Sequence, residues 1–171
     1  ILKELSFEKA RFLADVRPSP MTGNGIDTIE FMFSANIGEQ PRPLAKVASG
    51  GELSRIMLAL KNILSDVDEI PVLIFDEVDA GIGGRTAESV GMRLKKLAKS
   101  RQVICITHLP QIASLADLHI MAEKSGKKDR VSVSIRELSS AERKEEIARM
   151  LSGKVTDLSL RHAGELLERK T

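Results

Sequence analysis

Two consecutive carboxylates, Asp76 and Glu77, end the apolar run Val72-Leu73-Ile74-Phe75, and a third acid, Asp79, follows closely. Placing carboxylates at the end of a greasy strand is costly unless they have partners or work to do. An Asp at such a terminus can hold Mg²⁺, usually through water. The Glu beside it could polarise a water that attacks a terminal phosphate. The same residues also describe a strand that ends in a solvated acidic turn, and by themselves they leave the two readings about even.

A second constellation is Thr107-His108-Leu109-Pro110-Gln111, just after the apolar run Gln102–Thr107. If that run is a strand parallel to the first, His108 emerges beside Glu77, where an imidazole could hydrogen-bond a terminal phosphate. Without that register a structural His at a strand end is the simpler reading. The third is Ser49-Gly50-Gly51-Glu52. It opens a helical pattern, so unpaired N–H groups and the positive end of the helix dipole favour an anion there. Glycines let the backbone approach a phosphate closely, and Ser49 with Glu52 also has the spacing of a capping box. The two roles are compatible, with Glu52 capping while Ser49 and Gly51 stay available to phosphate.

Other candidates fall away. Ser125-Gly126-Lys127-Lys128-Asp129 lacks the spacing G-x-x-x-x-G-K-[ST], and Gly81-Ile82-Gly83-Gly84 has no Lys and no third glycine, since Thr86 stands there. No loop in the chain is built to cradle phosphates. Cys105 sits inside an apolar strand, which points to core packing rather than a nucleophile. One Cys and three scattered His give no zinc spacing.

The elements that must position these residues follow from periodicity. Ala10, Phe12, Ala14 and Val16 alternate, as do Ile29, Phe31 and Phe33, and predict an antiparallel hairpin with a longish loop around Asn24-Gly25. Residues 36–48 read as a loop. Leu53, Ile56, Met57, Leu60, Ile63 and Leu64 predict one apolar helix face. Pro71–Phe75 and Gln102–Thr107 read as fully buried, parallel strands. Ala87, Val90, Leu94 and Leu97 mark a helix over 85–99 between them. A short helix behind Pro110, a hairpin around residues 125–129 and helices over 140–152 and 156–169 complete the chain. Strand and helix alternate between 70 and 124, which predicts an α/β core with a mixed, mostly parallel sheet, flanked by antiparallel hairpins. Ligands in such sheets sit at the carboxyl ends of the strands, where Asp76-Glu77 and Thr107-His108 fall.

At 171 residues the chain suits one domain with its own core. Its 26 basic and 24 acidic residues are too balanced to argue for nucleic acid or membrane from charge. Five Phe with no Trp or Tyr offer little for base stacking. A single Cys excludes an internal disulfide and suits a reducing compartment. No apolar run is long enough to span a bilayer, and the first ten residues do not resemble a signal peptide. The missing initial Met suggests a piece of a longer protein.

The order of these motifs resembles the ABC-type ATPases: signature, then Walker B, then His loop. Glu rather than Gln in Ser49-Gly50-Gly51-Glu52, and Asp76-Glu77-Val78-Asp79-Ala80-Gly81, look like the SMC-related branch that acts on chromosomes. Leu44–Lys61, Ile74–Gly91 and Gln102–Asp117 together resemble the RecN family of that branch, and the resemblance extends over essentially the whole chain. It implies the C-terminal lobe of a split P-loop ATPase head, whose Walker A segment and coiled coil come earlier in the gene. Residues 1–5 would be a coiled-coil stub, 6–48 a hairpin and loop, 49–124 the core, and 125–171 a hairpin with the C-terminal helices. By resemblance, Asp76 would support Mg²⁺, Glu77 would be the catalytic base and His108 would sense the terminal phosphate. Asp79 would lie in the D-loop at a dimer interface. Ser49, Gly50, Gly51 and Glu52 would meet ATP held by the opposite head. Further implications are ATP and Mg²⁺ as cofactors, a homodimer closed by ATP, DNA as partner, no membrane, and a cytoplasmic, nucleoid-associated protein. The competing readings are the ATPase subunit of an ABC transporter and a non-catalytic interaction module that keeps ATPase-like residues.

Overall fold

The computed structural model describes residues 1–46, 49–65, 67–127 and 130–168, and the chain divides into two compact units, Ile1–Ile106 and Thr107–Thr171. The fold is mixed α/β, with parallel and antiparallel strand pairs and packed helices.

In the first unit a 3-10 turn, Leu2–Leu5, buries Leu5, and Phe7 follows it into the core. The alternating segments form the expected antiparallel hairpin, β1 (Arg11–Thr22) and β2 (Gly25–Ser34). The pairs Phe12↔Phe33, Ala14↔Phe31 and Val16↔Ile29 set the anticipated apolar residues on one face. The long loop is not there. Both strands continue to the pair Thr22↔Gly25 and leave Gly23 and Asn24 as a tight turn. Pro18 and Pro20 are tolerated because β1 is an edge strand, where a missing N–H breaks no ladder. The stretch read as a loop over 36–48 also holds β3 (Arg42–Pro43), paired with β2, and a 3-10 turn, Leu44–Lys46; Val47 and Ala48 lie outside the described residues.

Helix α1 (Gly50–Ile63) starts where the Ser49 cap predicts, but it buries a different face. Of the six residues expected on the apolar stripe, Ile56 alone is buried, and Met57, Ile63 and Leu64 are exposed. The inward face is Gly51, Arg55, Leu58, Ala59 and Asn62. The two polar members are stabilised there by hydrogen bonds to backbone. Asn62 donates to Leu58 O (2.9 Å) and Arg93 O (3.4 Å), and Arg55 donates to the loop described below.

Strands β4 (Val72–Phe75) and β5 (Gln102–Cys105) are parallel, in the register Val72↔Gln102 to Phe75↔Cys105. Helix α2 (Gly84–Leu97) connects them and buries Ala87, Val90, Leu94 and Leu97 as expected. The expectation of two-sided burial fails. Leu73 is 7% exposed and Phe75 5%, whereas Ile74 is 67% exposed, and Val72, Ile104 and Ile106 are exposed with it. One face of the pair is covered and the other is bare apolar surface.

In the second unit a single helical turn, α3 (Pro110–Ala113), precedes the antiparallel pair β6 (Ile120–Lys127) and β7 (Arg130–Glu137). The strands take in Ser125, Gly126 and Lys127, which the sequence suggests as loop; Lys128 and Asp129 lie outside the described residues. Helix α4 (Ser140–Ser152) carries a complete capping box from Ser139 and Glu142 and stops at Gly153 in the left-handed region. Helix α5 (Asp157–Glu168) packs back on it, and Ala113, Ile147, Ala148 and Ala163 form the buried centre. Arg169, placed in the last helix by its periodicity, lies outside the described residues. No helix among the described residues is long and apolar enough to cross a membrane.

Candidate functional site

The first unit gathers two of the three constellations. Ile106 N–H donates to Phe75 O (3.0 Å), so β4 and β5 finish level and Asp76 opens the loop at their carboxyl ends. The exposed Asp76 carboxylate accepts from Glu77 N–H through Oδ1 (2.8 Å). Glu77 itself is exposed and sits at φ 55, in the left-handed region. That conformation strains a side chain with a Cβ and persists only where surroundings over-determine it. Glu77 O accepts from Ala80 N–H (2.9 Å) and Asp79 O from Ile82 N–H (3.3 Å), which closes the turn. Asp79 is not displayed at the surface; it is 4% exposed.

The N-terminus of α1 lies directly against this loop. Ser49 Oγ accepts from Glu52 N–H (3.5 Å), so the capping side chain is Ser49, where the sequence suggests Glu52. The N–H groups of Gly50 and Gly51 precede the first intrahelical bond, Leu53 N–H to Ser49 O (3.0 Å), so they are the donors an anion would meet. Both glycines also have a role within the chain. A Cβ on Gly50 would collide with Glu77 Oε2, and one on Gly51 would come within 2.8 Å of Ala80 Cβ and 2.9 Å of Glu77 O.

Two residues that the sequence reading passed over fasten the helix to the loop. Ser54 Oγ donates to Asp76 O (2.7 Å), and Arg55 Nη1 donates to Val78 O (3.2 Å) and Ala80 O (2.8 Å). Arg55 is 6% exposed, and its burial pushes the guanidinium pKa down against the opposing pull of Glu52 and Asp79. An arginine keeps its charge under such a shift. Its signal was present in the sequence: Gly51, Arg55, Leu58 or Ala59, and Asn62 recur at helical steps, but a stripe counted on apolar residues alone leaves out its polar members.

Cys105 stands across from Phe75. Burial, then the charges of Asp79 and Asp76, push its thiol up to about 12, which removes it as a nucleophile. As for a metal, no group of three ligating side chains occurs among the described residues. Mg²⁺ does not require one, because it retains waters and binds through one or two carboxylates plus substrate phosphates. The exposed Asp76 at a strand end fits that mode.

His108 belongs to the second unit, where it is exposed and precedes α3; Leu109 N–H donates to Thr107 Oγ1 beside it (3.0 Å). The segment behind it is held by Arg143 of α4, whose Nη2 donates to Ala113 O (3.0 Å), Ser114 O (3.0 Å) and Ala116 O (2.6 Å). No sequence pattern pointed to Arg143.

No family model matches the chain. Curated relatives match nearly all of it. The DNA repair protein RecN of Rickettsia bellii is 50% identical over 168 residues, which are 97% of this chain and 30% of that protein. RecN of Bacillus subtilis is 46% identical over 157 residues, 91% of this chain and 27% of that protein. RecN of Treponema pallidum is 52% identical over 144 residues, 84% and 25% respectively. The chain therefore spans less than a third of the length of these relatives. Among solved structures, the Smc head domain with a coiled coil and joint from Pyrococcus yayanosii superposes with a TM-score of 0.55 at 20% identity, over 87% of this chain and 28% of that one. The Smc head domain with an extended coiled coil bound to the C-terminal domain of ScpA, from Pyrococcus furiosus, gives 0.53 at 20% identity, over 80% and 33%. At that identity the likeness shows the fold alone, that of part of an Smc head domain.

Proposed function

Because the chain belongs, as a segment, to the family of the DNA repair protein RecN, we propose that it is one lobe of an SMC-like ATPase head. It would supply the signature, Walker B, D-loop and His loop to a protein that hydrolyses ATP between two dimerised heads and acts on DNA in recombinational double-strand-break repair. The observation that carries this reading is the packing of the Ser49-Gly50-Gly51 turn against the Asp76-Glu77 strand end. Helix-terminal N–H donors suited to one head's phosphates and a carboxylate pair suited to the other's stand on one rigid piece, as a head that serves two nucleotides requires.

In this reading Asp76 holds Mg²⁺, which when bound neutralises charge on the phosphates. Glu77 accepts a proton from the attacking water as its oxygen bonds to the terminal phosphorus and the bond to ADP breaks. His108 hydrogen-bonds the terminal phosphate, and Ser49, Gly50, Gly51 and Glu52 close on ATP bound to the opposite head. Asp79 is buried, so any D-loop contact across the dimer falls to the exposed part of that turn around Gly81. The missing Walker A would come from an N-terminal segment of the same protein. The bare apolar face of Val72, Ile74, Ile104 and Ile106 supports that partner, since parallel sheets are covered on both faces.

The test is Glu77→Gln in the intact protein. Turnover is lost while ATP-driven head closure persists. Normal hydrolysis by that variant would remove Glu77 from the role. The segment alone, without Walker A, binds ATP weakly or not at all by calorimetry, and micromolar binding would refute the division of the site.

A further inference from the structure

Side-chain hydrogen bonds from one short stretch of α1 hold the loop that carries Glu77. Ser54 takes the carbonyl before Glu77, at Asp76, and Arg55 takes the two beyond it, at Val78 and Ala80. The peptide between them bends through the left-handed φ of 55 at Glu77. The turn's own bonds, Glu77 N–H to Asp76 Oδ1 and Ala80 N–H to Glu77 O, leave the carbonyls of Asp76, Val78 and Ala80 to be held from α1. Arg55 is itself fixed from behind. Its Cζ lies 5.7 Å from the centre of the Phe7 ring, and Phe7 meets Phe33 of β2 edge to face at 5.2 Å. A planar cation over an aromatic face is oriented as well as attracted. Its buried Nε has no hydrogen-bond partner, so the residue's bonding is concentrated on the loop.

We propose that Arg55 is a positioning residue. Its Nη1 group, on a guanidinium braced by Phe7, imposes the left-handed turn that aims the Glu77 carboxylate, and it thereby ties the helix that reads one nucleotide to the base that acts on another. This rests on the role proposed for Glu77. Arg55 touches no substrate and acts through the carbonyls of Val78 and Ala80. A lysine would keep the charge and has donors enough for both carbonyls, but it lacks the planar guanidinium whose stacking on Phe7 fixes where the Nη1 donors point. If that orientation matters, the conservative replacement fails.

The experiment uses the full-length protein with Arg55→Lys, and with Ser54→Ala and Phe7→Leu as milder changes should the first fail to fold. Two quantities are read: amide hydrogen exchange over residues 76–82, and kcat and KM for ATP. The expected result for Arg55→Lys is faster exchange at Ala80 and Ile82. With it kcat falls about tenfold or more and KM changes less than about twofold, the pattern of a misplaced catalytic group. Ser54→Ala and Phe7→Leu give the same pattern at smaller amplitude. Unchanged exchange overturns the proposal, as does faster exchange with unchanged kcat, or an equal loss in all three variants that tracks lowered melting temperature. If the unsubstituted protein hydrolyses no ATP, the reading of Glu77 fails, and loop exchange alone decides whether Arg55 sets the turn.

Discussion

Gly50 and Glu77 share one space: the carboxylate lies where a side chain on Gly50 would have to go. The neighbouring Gly51 is confined by backbone instead, at Glu77 O and Ala80. A carboxylate can swing aside and a carbonyl in a closed turn cannot, so the two glycines answer differently to the same substitution. Gly51→Ala lowers stability by about 1–3 kcal/mol through overpacking. Gly50→Ala changes stability by about 0.5 kcal/mol or less yet lowers ATP turnover in the intact protein by displacing Glu77. Urea denaturation beside a turnover assay separates them, and equal destabilisation by both would refute the distinction.

The bare face of β4 and β5 makes a second prediction. Ile74→Thr and Ile104→Thr keep a β-branched side chain at exposed positions, so each changes the stability of this segment by only about 0.5 kcal/mol. If the intact protein covers that face, each substitution there loses about 1.5–3 kcal/mol, the value of a buried aliphatic side chain. Denaturation of both forms is the measurement. Identical small effects in the two would mean that nothing packs on this face.

Acid should act on the second unit first through His119. Its Nδ1 is buried without a hydrogen-bond partner, and burial and the Arg143 charge push its pKa below the ordinary 6.5, against a smaller pull from Glu146. Between the lowered folded value and 6.5 the unfolded chain binds the extra proton, so stability is full above 6.5 and declines as pH falls through that window. His119→Gln removes that decline. Glu142, held down to about 2 by Ser139 and then Arg136, contributes a separate loss confined to pH below about 4.5. Melting temperature against pH for both proteins checks this; a decline between pH 6.5 and 4.5 that persists in His119→Gln would exclude His119 as its origin.

Much of this arrangement was legible in the residues. Alternation placed Phe12 and Phe31 on one face of a hairpin, and the parallel pairing of β4 with β5 followed from two apolar runs separated by a helix. What escaped detection has physical causes. Pro20 falls in the loop expected around Asn24-Gly25, but an edge strand has an open side for a proline. Ile74 and Ile104 read as buried because an apolar run reports that both faces of a strand are greasy, not that both are covered. Arg55 and Asn62 fall outside a stripe counted on apolar residues because hydropathy does not register a buried polar group that donates to backbone carbonyls. The acids at residues 76, 77 and 79 were visible as a cluster, but not that Glu77 would stand in a left-handed turn while Asp79 turned inward.

The three carbonyls gathered by Arg143 have a bearing on how the second unit comes apart. A four-residue helix such as α3 cannot hold itself together by its own hydrogen bonds. Ala113, Ser114 and Ala116 are tied instead to a guanidinium on α4. The stretch following His108 is therefore not a loop that breathes independently. It opens when α4 opens, as one cooperative piece, and its amides should carry the slow exchange of that helix rather than the fast exchange of a surface connection.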